Sequence, residues 1–448
     1  YTSHKLHTLQ YAMCVCHNDG GQKESGKHRE EGEAVKRFGT LCLLTLVMAV
    51  STQPVAGEPL SRPPLASGHE VTLYRDTWGV PHIFADTPAN AAYALGYAQA
   101  EDRLEDIYTN IRTAVGTMAE AFGPQFADQD YMMKLAKNAE QCEQYWDTAP
   151  AHIKALGDGF MRGVEAFLRE YPEKKPPFAT ELHGWHCAAI QRAMILNWPI
   201  EAVLQDLGRK AESPAMGSNA FAIAPQRSAE GCAVLMADPH LPWEGMAVAY
   251  EARVHTRDYD QCGFWLVGTP LPAIGHTGFV AWAYCLGSPD TSDVYRVKLN
   301  PVNPLQYEYN GAWCNFDVRT AEIAVKGQAA VEKPMLFSRY GPVVGEPDLA
   351  EGVAYCGASP YFEQSRLFEQ SYRMTTARSC DEFYDALGMM QMMGVNISFA
   401  DTSGNIQYLR NGRTPIRPQG YNWSAPVPGG SDASRWLGFH DIHDLVQI

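Results

Sequence analysis

The chain of 448 residues is 46% hydrophobic, enough for one large domain or two to three smaller ones, with the composition of an ordinary globular protein. Lys and Arg number 36 against 51 Asp and Glu, and the formal charge of −15 argues against binding to nucleic acid or anionic membranes, both of which want basic patches. A small-molecule substrate suits this balance better.

Residues 1–35 begin with Tyr and run polar and charged from His17 to Glu33, as a disordered or non-native leader would. Lys36-Arg37, the apolar run 41–50 and the small residues of Gln53-Pro54-Val55-Ala56-Gly57 then follow the order of a secretory signal over 36–57. The run is shorter than the about 20 apolar residues a membrane span requires, so the expectation is export to a periplasm or beyond, with no membrane span. Of 11 cysteines, Cys14, Cys16 and Cys42 fall in or before this signal, and the rest are widely spaced without a C-x-x-C pair. One or two disulfides and buried free thiols both fit.

Two short strands are expected at 71–76 and 78–83, and helical periodicity begins at Pro88, continues through Leu104, and recurs over 110–122, 151–171 and 188–207. Tyr171-Pro172-Glu173-Lys174-Lys175-Pro176-Pro177 reads as an exposed connection. This helical segment, 58–207, gives way to a polar, aperiodic stretch at 208–217. Beyond it the pattern turns to strands, at 220–224, 233–237, 248–255, 264–267, 279–284, 294–299, 321–325 and 396–400. Asp238-Pro239-His240-Leu241-Pro242-Trp243 is expected to close the second of these with a rigid turn. The sum is an α+β chain in which helices cover stacked antiparallel sheets.

Six runs carry a family resemblance: Tyr-Arg-Asp-x-Trp-Gly-Val-Pro-His-Ile at 74–83, Gly-Tyr-Ala-x-Ala-Glu-Asp-Arg-Leu at 96–104, Gly-Ser-Asn at 217–219, Asp-Pro-His-Leu at 238–241, Ile-Gly-His-x-x-x-Val-Ala-Trp at 274–282, and Asn-Ile-Ser-Phe-Ala-Asp-x-x-Gly-Asn-Ile-x-Tyr at 396–408. In this order they resemble the penicillin acylase family of N-terminal-nucleophile (Ntn) hydrolases, which includes cephalosporin and acyl-homoserine-lactone acylases. The resemblance covers residues 70–445. It implies an αββα sandwich and an amidohydrolase acting on a small-molecule N-acyl amide. It further implies α and β chains cut from one precursor, with 208–217 as a removable spacer and 218–448 as an incomplete β segment, since the family's catalytic chain continues past the equivalent of Ile448.

The chemistry is that of a serine that supplies its own base. An internal serine hydroxyl is a poor nucleophile. A free α-amine has a pKa of about 7.7–8.0 and can take the hydroxyl proton, whereas the same nitrogen in a peptide bond cannot, so Ser218 requires a cut before it. By resemblance, the backbone N–H of Leu286 and the side-chain amide of Asn396 donate to the oxyanion, His240 tunes the serine, and Arg417 orients Asn396 or the substrate. The acidic partner of His240 is expected beyond Ile448, and the acyl pocket from apolar side chains of both halves. Asp290 and Asp293 stand where several relatives hold calcium, with Asp401 as a third candidate, although calcium needs 6–8 oxygen ligands. No cofactor is required. Solvated carboxylates, a surface arginine and a turn histidine are the plainer readings of these residues. His183/His186 and His440/His443 read as structural histidines for want of a third ligand. The competing function is an uncleaved, non-catalytic secreted binding protein on the same scaffold; an α/β-type serine hydrolase lacks its Gly-x-Ser-x-Gly run.

Overall fold

The computed structural model describes residues 71–209, 217–287 and 289–448 and the backbone of Tyr11–Val15. The expected signal at 36–57, the expected leader apart from that short segment, and residues 210–216 of the expected spacer lie outside the described residues.

Tyr11–Val15 is strand β1. Strands β2 (Val71–Arg75) and β3 (Pro81–Ala85) meet at a turn in which Asp76 Oδ1 accepts the N–H groups of Trp78 and Val80. Six helices follow: α1 (Pro88–Val115), α2 (Met118–Phe122), α3 (Ala127–Leu135), α4 (Asn138–Thr148), α5 (Ala151–Glu170) and α6 (Trp185–Asp206). Thr87 caps α1 by accepting the Asn90 N–H, and Pro88 fills the first turn, where a missing N–H costs nothing. The two helical patterns expected from 88 to 122 are mainly this one helix, kinked at Arg103.

Next come β4 (Gly217–Ile223), β5 (Ala233–His240), β6 (Ala249–His255), β7 (Asp260–Leu266), β8 (Pro272–His276), β9 (Val280–Leu286) and β10 (Asp293–Lys298). Two hairpins, β11 (Gln306–Tyr309) with β12 (Ala312–Asn315) and β13 (Asp317–Ile323) with β14 (Val331–Phe337), precede β15 (Val353–Ala358). Helices α7 (Leu367–Thr376) and α8 (Cys380–Leu387) then lead to β16 (Val395–Asp401), β17 (Ile406–Asn411) and the short β18 (Pro415–Ile416), β19 (Val427–Pro428) and β20 (Gly438–Phe439). The sequence pattern gave no sign of α3, α4, α7 or α8. The apolar stripe of α7 is interrupted by Glu369, Gln370 and Ser371, which are nonetheless buried.

The strands form an eight-stranded sheet ordered β17-β16-β9-β8-β7-β6-β3-β2 and a three-stranded sheet ordered β1-β5-β4. Within the large sheet every pair is antiparallel except β3 with β6. Strand period divides its residues between two cores. Ala281 and Ala283 of β9 join Leu235 and Ala237 of β5 between the two sheets. Val280 and Trp282 face the helical side, where α8 contributes Phe383 and β16 contributes Ile397 and Phe399. Helices α1 and α5, with Cys187 to Ala193 of α6, cover the β6–β7 end of the same sheet. The fold is thus α+β with stacked sheets and helices packed on the larger one. Among the described residues no helix is long and apolar enough to cross a membrane.

Two glycines set the distance between α1 and α5. A Cβ on Gly96 would lie 2.1 Å from the Phe160 carbonyl oxygen, and one on Gly163 would lie 1.9 Å from that of Tyr93. Alanine is the better helix former by about 1 kcal/mol, but the clash is with backbone and can be relieved only by parting the helices, at about 1–3 kcal/mol or more. Gly163→Ala is therefore expected to lower the thermal unfolding midpoint; a raised midpoint would mean that α1 and α5 do not make this contact.

Candidate active site

Ser218 enters from β4, the second strand of the small sheet. The β4–β5 register sets Ser218 opposite Pro239, Gly217 opposite His240 and Asn219 opposite Asp238. The Ser218 Oγ donates to the Gly217 carbonyl oxygen at 2.5 Å, so the hydroxyl lies against the carbonyl of the peptide bond that precedes it. Asp238-Pro239-His240 belongs to β5 and not to the turn expected from its proline. Strand β1 pairs with β5 only as far as Ala237, so Pro239 sits where β5 has one neighbour and a missing N–H is tolerated.

His240 bonds with Asp238 and Asn219 and not with the Ser218 hydroxyl. Its Nε2 is 3.2 Å from Asp238 Oδ2 and 3.5 Å from Asn219 Nδ2. Its Nδ1 lies 3.6 Å from where a Cβ on Gly217 would sit. The reason is register: residues directly opposite share a face, which pairs Ser218 with Pro239 and leaves His240 beside Gly217. An acidic neighbour of His240, Asp238, stands two residues before it in the same strand. The Asp238 side chain is 6% exposed, Asn219 Nδ2 donates to its Oδ2, and its Oδ1 has no hydrogen-bond partner among the described residues.

Gly217 and Ser218 border an apolar cavity of about 140 Å³. Its wall includes Leu241 and Pro239 beside Ser218, Leu266, Leu271 and Ile274 from β7, β8 and their connection, and Met194, Ile195 and Trp198 from α6. Both sides of the Gly217–Ser218 bond contribute to the wall. The Cys285 thiol also lines this cavity, but burial first and Asp238 second push it above its ordinary value, so it remains a protonated thiol at neutral pH.

Leu286 ends β9 and borders the same cavity. Asn396 Nδ2 donates to the Leu286 carbonyl at 3.0 Å, and Asn396 Oδ1 accepts the Tyr408 hydroxyl at 2.8 Å. Tyr408 therefore fixes which end of the amide faces Leu286, and leaves Nδ2 a second hydrogen to donate. The Tyr408 role was missed in sequence because it closes the 396–408 run across a β16–β17 turn, where it pairs with Ser398, not Asn396. Gly287 follows because a Cβ there would come within 2.9 Å of the Val395 backbone.

Arg417 stands elsewhere. Its Nε donates to Asp293 Oδ2 at 2.9 Å and its second terminal nitrogen lies 3.0 Å from Asp290 Oδ1. It makes no hydrogen bond with Asn396. Asp293 is 1% exposed and also accepts the Trp436 indole N–H. Asp290 and Asp293 thus carry a protein cation where calcium was expected. Asp401 is committed to the N–H groups of Cys380, Ser403 and Asn405, and among the described residues no three His, Cys, Asp or Glu side chains are grouped to hold a metal. Likewise, His186 Nδ1 accepts the His183 N–H, and burial pushes its ring down to about 3.

Asp206, which no motif marked, completes the Arg417 cluster. Burial first, then the Asp290 and Asp293 charges, push its carboxyl up to about 7, with Arg417 opposing. Its folded-state value lies above the ordinary 3.8, so its contribution to stability is fully present below about 3.8 and is lost as pH rises through about 7. Asp206→Asn should consequently unfold at a higher temperature than the wild type at pH 8 and lose that advantage at pH 5. Arg417→Met leaves Asp293 buried without its cation and should cost about 3–5 kcal/mol at neutral pH in a denaturant titration, the deficit shrinking as acid protonates the carboxylates.

A model of the penicillin amidase family matches residues 70–448. The penicillin acylase 2 proenzyme of Pseudomonas sp. strain SE83 is 27% identical over 86% of this chain and 57% of its own length. The acyl-homoserine lactone acylase QuiP of Pseudomonas fluorescens strain Pf-5 is 26% identical over 83% and 53% respectively. A solved thermostable penicillin G acylase from Alcaligenes faecalis shares 28% identity over 51% of this chain and 41% of that one, with a TM-score of 0.46. The chain spans about half the length of the curated relatives it matches. Matched from residue 70 onward, it belongs to the penicillin amidase family.

Proposed function

We propose that this chain carries the nucleophile of an exported amidohydrolase, periplasmic or secreted, that cleaves a linear N-acyl amide through an acyl-enzyme on Ser218. The observation that carries the reading is the Ser218 hydroxyl lying against the Gly217 carbonyl at the mouth of an apolar cavity. In a first, autocatalytic step the Ser218 oxygen attacks that carbonyl carbon, an ester replaces the amide, and water hydrolyses the ester. Gly217 then ends one chain and a free Ser218 amine begins the other, both from one precursor.

The released amine takes the Ser218 hydroxyl proton as the oxygen attacks the substrate carbonyl. Asn396 Nδ2, with one hydrogen uncommitted, and the backbone N–H of Leu286 are assigned to the developing oxyanion, each worth about 2.7–4 kcal/mol. The leaving amine takes the proton back, and water hydrolyses the acyl ester to a carboxylic acid. His240, held by Asp238 beside Gly217, is assigned to tune the new amine. The reaction needs no cofactor. Likeness to a penicillin acylase and to an acyl-homoserine lactone acylase supports an acylated β-lactam amine or homoserine lactone as substrate.

Intact mass and N-terminal sequencing of the expressed chain should find a new terminus at Ser218 that vanishes in Ser218→Ala. Amide turnover should vanish with it. A chain that stays whole and turns over no acyl amide would overturn the proposal in favour of a non-catalytic binding protein.

A further inference from the structure

The connection between β7 and β8 is buried along its whole length. Val267, Gly268, Thr269, Pro270 and Leu271 are all shielded from solvent, and Thr269 and Leu271 line the cavity at Ser218 beside Leu266. A loop away from water has to bond its peptide groups within the protein. Thr269 meets part of this need locally, its N–H and its hydroxyl both donating to the Leu266 carbonyl. The rest comes from α1. Gln99 Oε1 accepts the Gly268 N–H at 2.8 Å, Gln99 Nε2 donates to the Thr269 carbonyl at 3.4 Å, and Asn110 Nδ2 donates to the Val267 carbonyl at 3.0 Å.

Gln99 is 0% exposed and stands between the buried Ala98 and Ala100. A buried amide is costly unless it is bonded, and both ends of this one are committed to the same loop. Gln99 itself is not part of the cavity wall; it reaches that space only through Thr269. Without its two bonds the Gly268 N–H and the Thr269 carbonyl would be left buried and unpaired, and the loop would have to shift to repair them. Asn110 holds only Val267, so the shift would fall on Thr269 and Leu271, the two loop residues that face the cavity.

We propose that Gln99 is a positioning residue for the acyl group: by bonding both sides of the Gly268–Thr269 pair it fixes the wall that Thr269 and Leu271 present to the cavity, and with it the length of acyl group that the cavity prefers. The proposal rests on the amidohydrolase reading above, and its test separates the two. Anilides of straight-chain acids of graded length are turned over by the wild type and by Gln99→Met, which keeps the length of the side chain and loses both bonds. The wall holds the acyl group alike before and during reaction, so for the best-fitting anilide KM should rise roughly tenfold while kcat falls by less than about threefold, and the preference for that length over its neighbours should flatten. Gln99→Leu serves the same purpose if the methionine variant does not fold. Calorimetric binding of the same anilides in a Ser218→Ala background reads the preference without turnover. In that background at pH 5, Gln99→Glu carries a buried, protonated carboxyl that can accept from Gly268 and donate to Thr269, and it should keep the wild-type preference that Gln99→Met loses. Absence of turnover with a binding preference that Gln99→Met flattens defeats only the amidohydrolase reading. Wild-type KM and length preference in a folded Gln99→Met chain, however low its unfolding midpoint, or Gln99→Met and Gln99→Glu behaving alike at pH 5, overturns the role of Gln99.

Discussion

A single buried guanidinium ties together the elements that enclose the cavity. Arg192 is 1% exposed, and its nitrogens donate to the Gln364 carbonyl, Asn138 Oδ1 and the carbonyls of Phe362 and Tyr361. These partners are oxygens of amide groups, so the charge is solvated by backbone and side-chain dipoles where water would otherwise stand. Asn138 itself donates to the Ala114 and Ala189 carbonyls, which joins α1, α4 and α6 at one point. Arg192 adjoins Gln191, and the segment it grips leads directly into α7, which supplies Leu367 and Ser371 to the cavity wall. The placement of α6 against α7, and hence the shape of the pocket, depends on these bonds being made together.

The site itself follows from strand period and register. Alternation along β9 and β16 sends bulky residues to the helices and small ones toward β4 and β5, which lets the small sheet approach the large one. That approach brings Ser218 to the cavity that Leu286 borders, with Asn396 bonded to the Leu286 carbonyl. The same rule that places Ser218 with Pro239 moves His240 to the neighbouring residue. The small sheet thus offers a hydroxyl at one position and an Asp238–His240 pair at the next.

Much of this was legible in the residues, and the exceptions have physical causes. Ser218 and Asn396 stood out because they lie in runs whose order resembles one family, and Leu286 because it closely follows the 274–282 run. Asp238 was passed over because Asp-Pro-His has the composition of a turn, and only the early end of β1 makes room for its proline within a strand. Arg417, Asp290 and Asp293 were noticed as charges, yet their mutual pairing spans more than 120 positions of chain and cannot be read from spacing. Helix α7 was hidden by polar residues that tertiary contacts bury.

The parallel pairing of β3 with β6 joins stretches of chain from either side of Gly217. His82, Ile83 and Phe84 precede Gly217 in the chain, and their partners Arg253, Val254 and His255 follow it. The same is true of the core beneath, where Tyr97 and Phe160 share a cluster with Tyr250 and Trp265. A break at Gly217 would therefore open no seam: the two polypeptides would be interleaved through one sheet and one core. They could be parted only by denaturant, and neither alone would inherit a closed surface. Chain continuity at that bond is a matter of covalent bookkeeping, and the fold is indifferent to it.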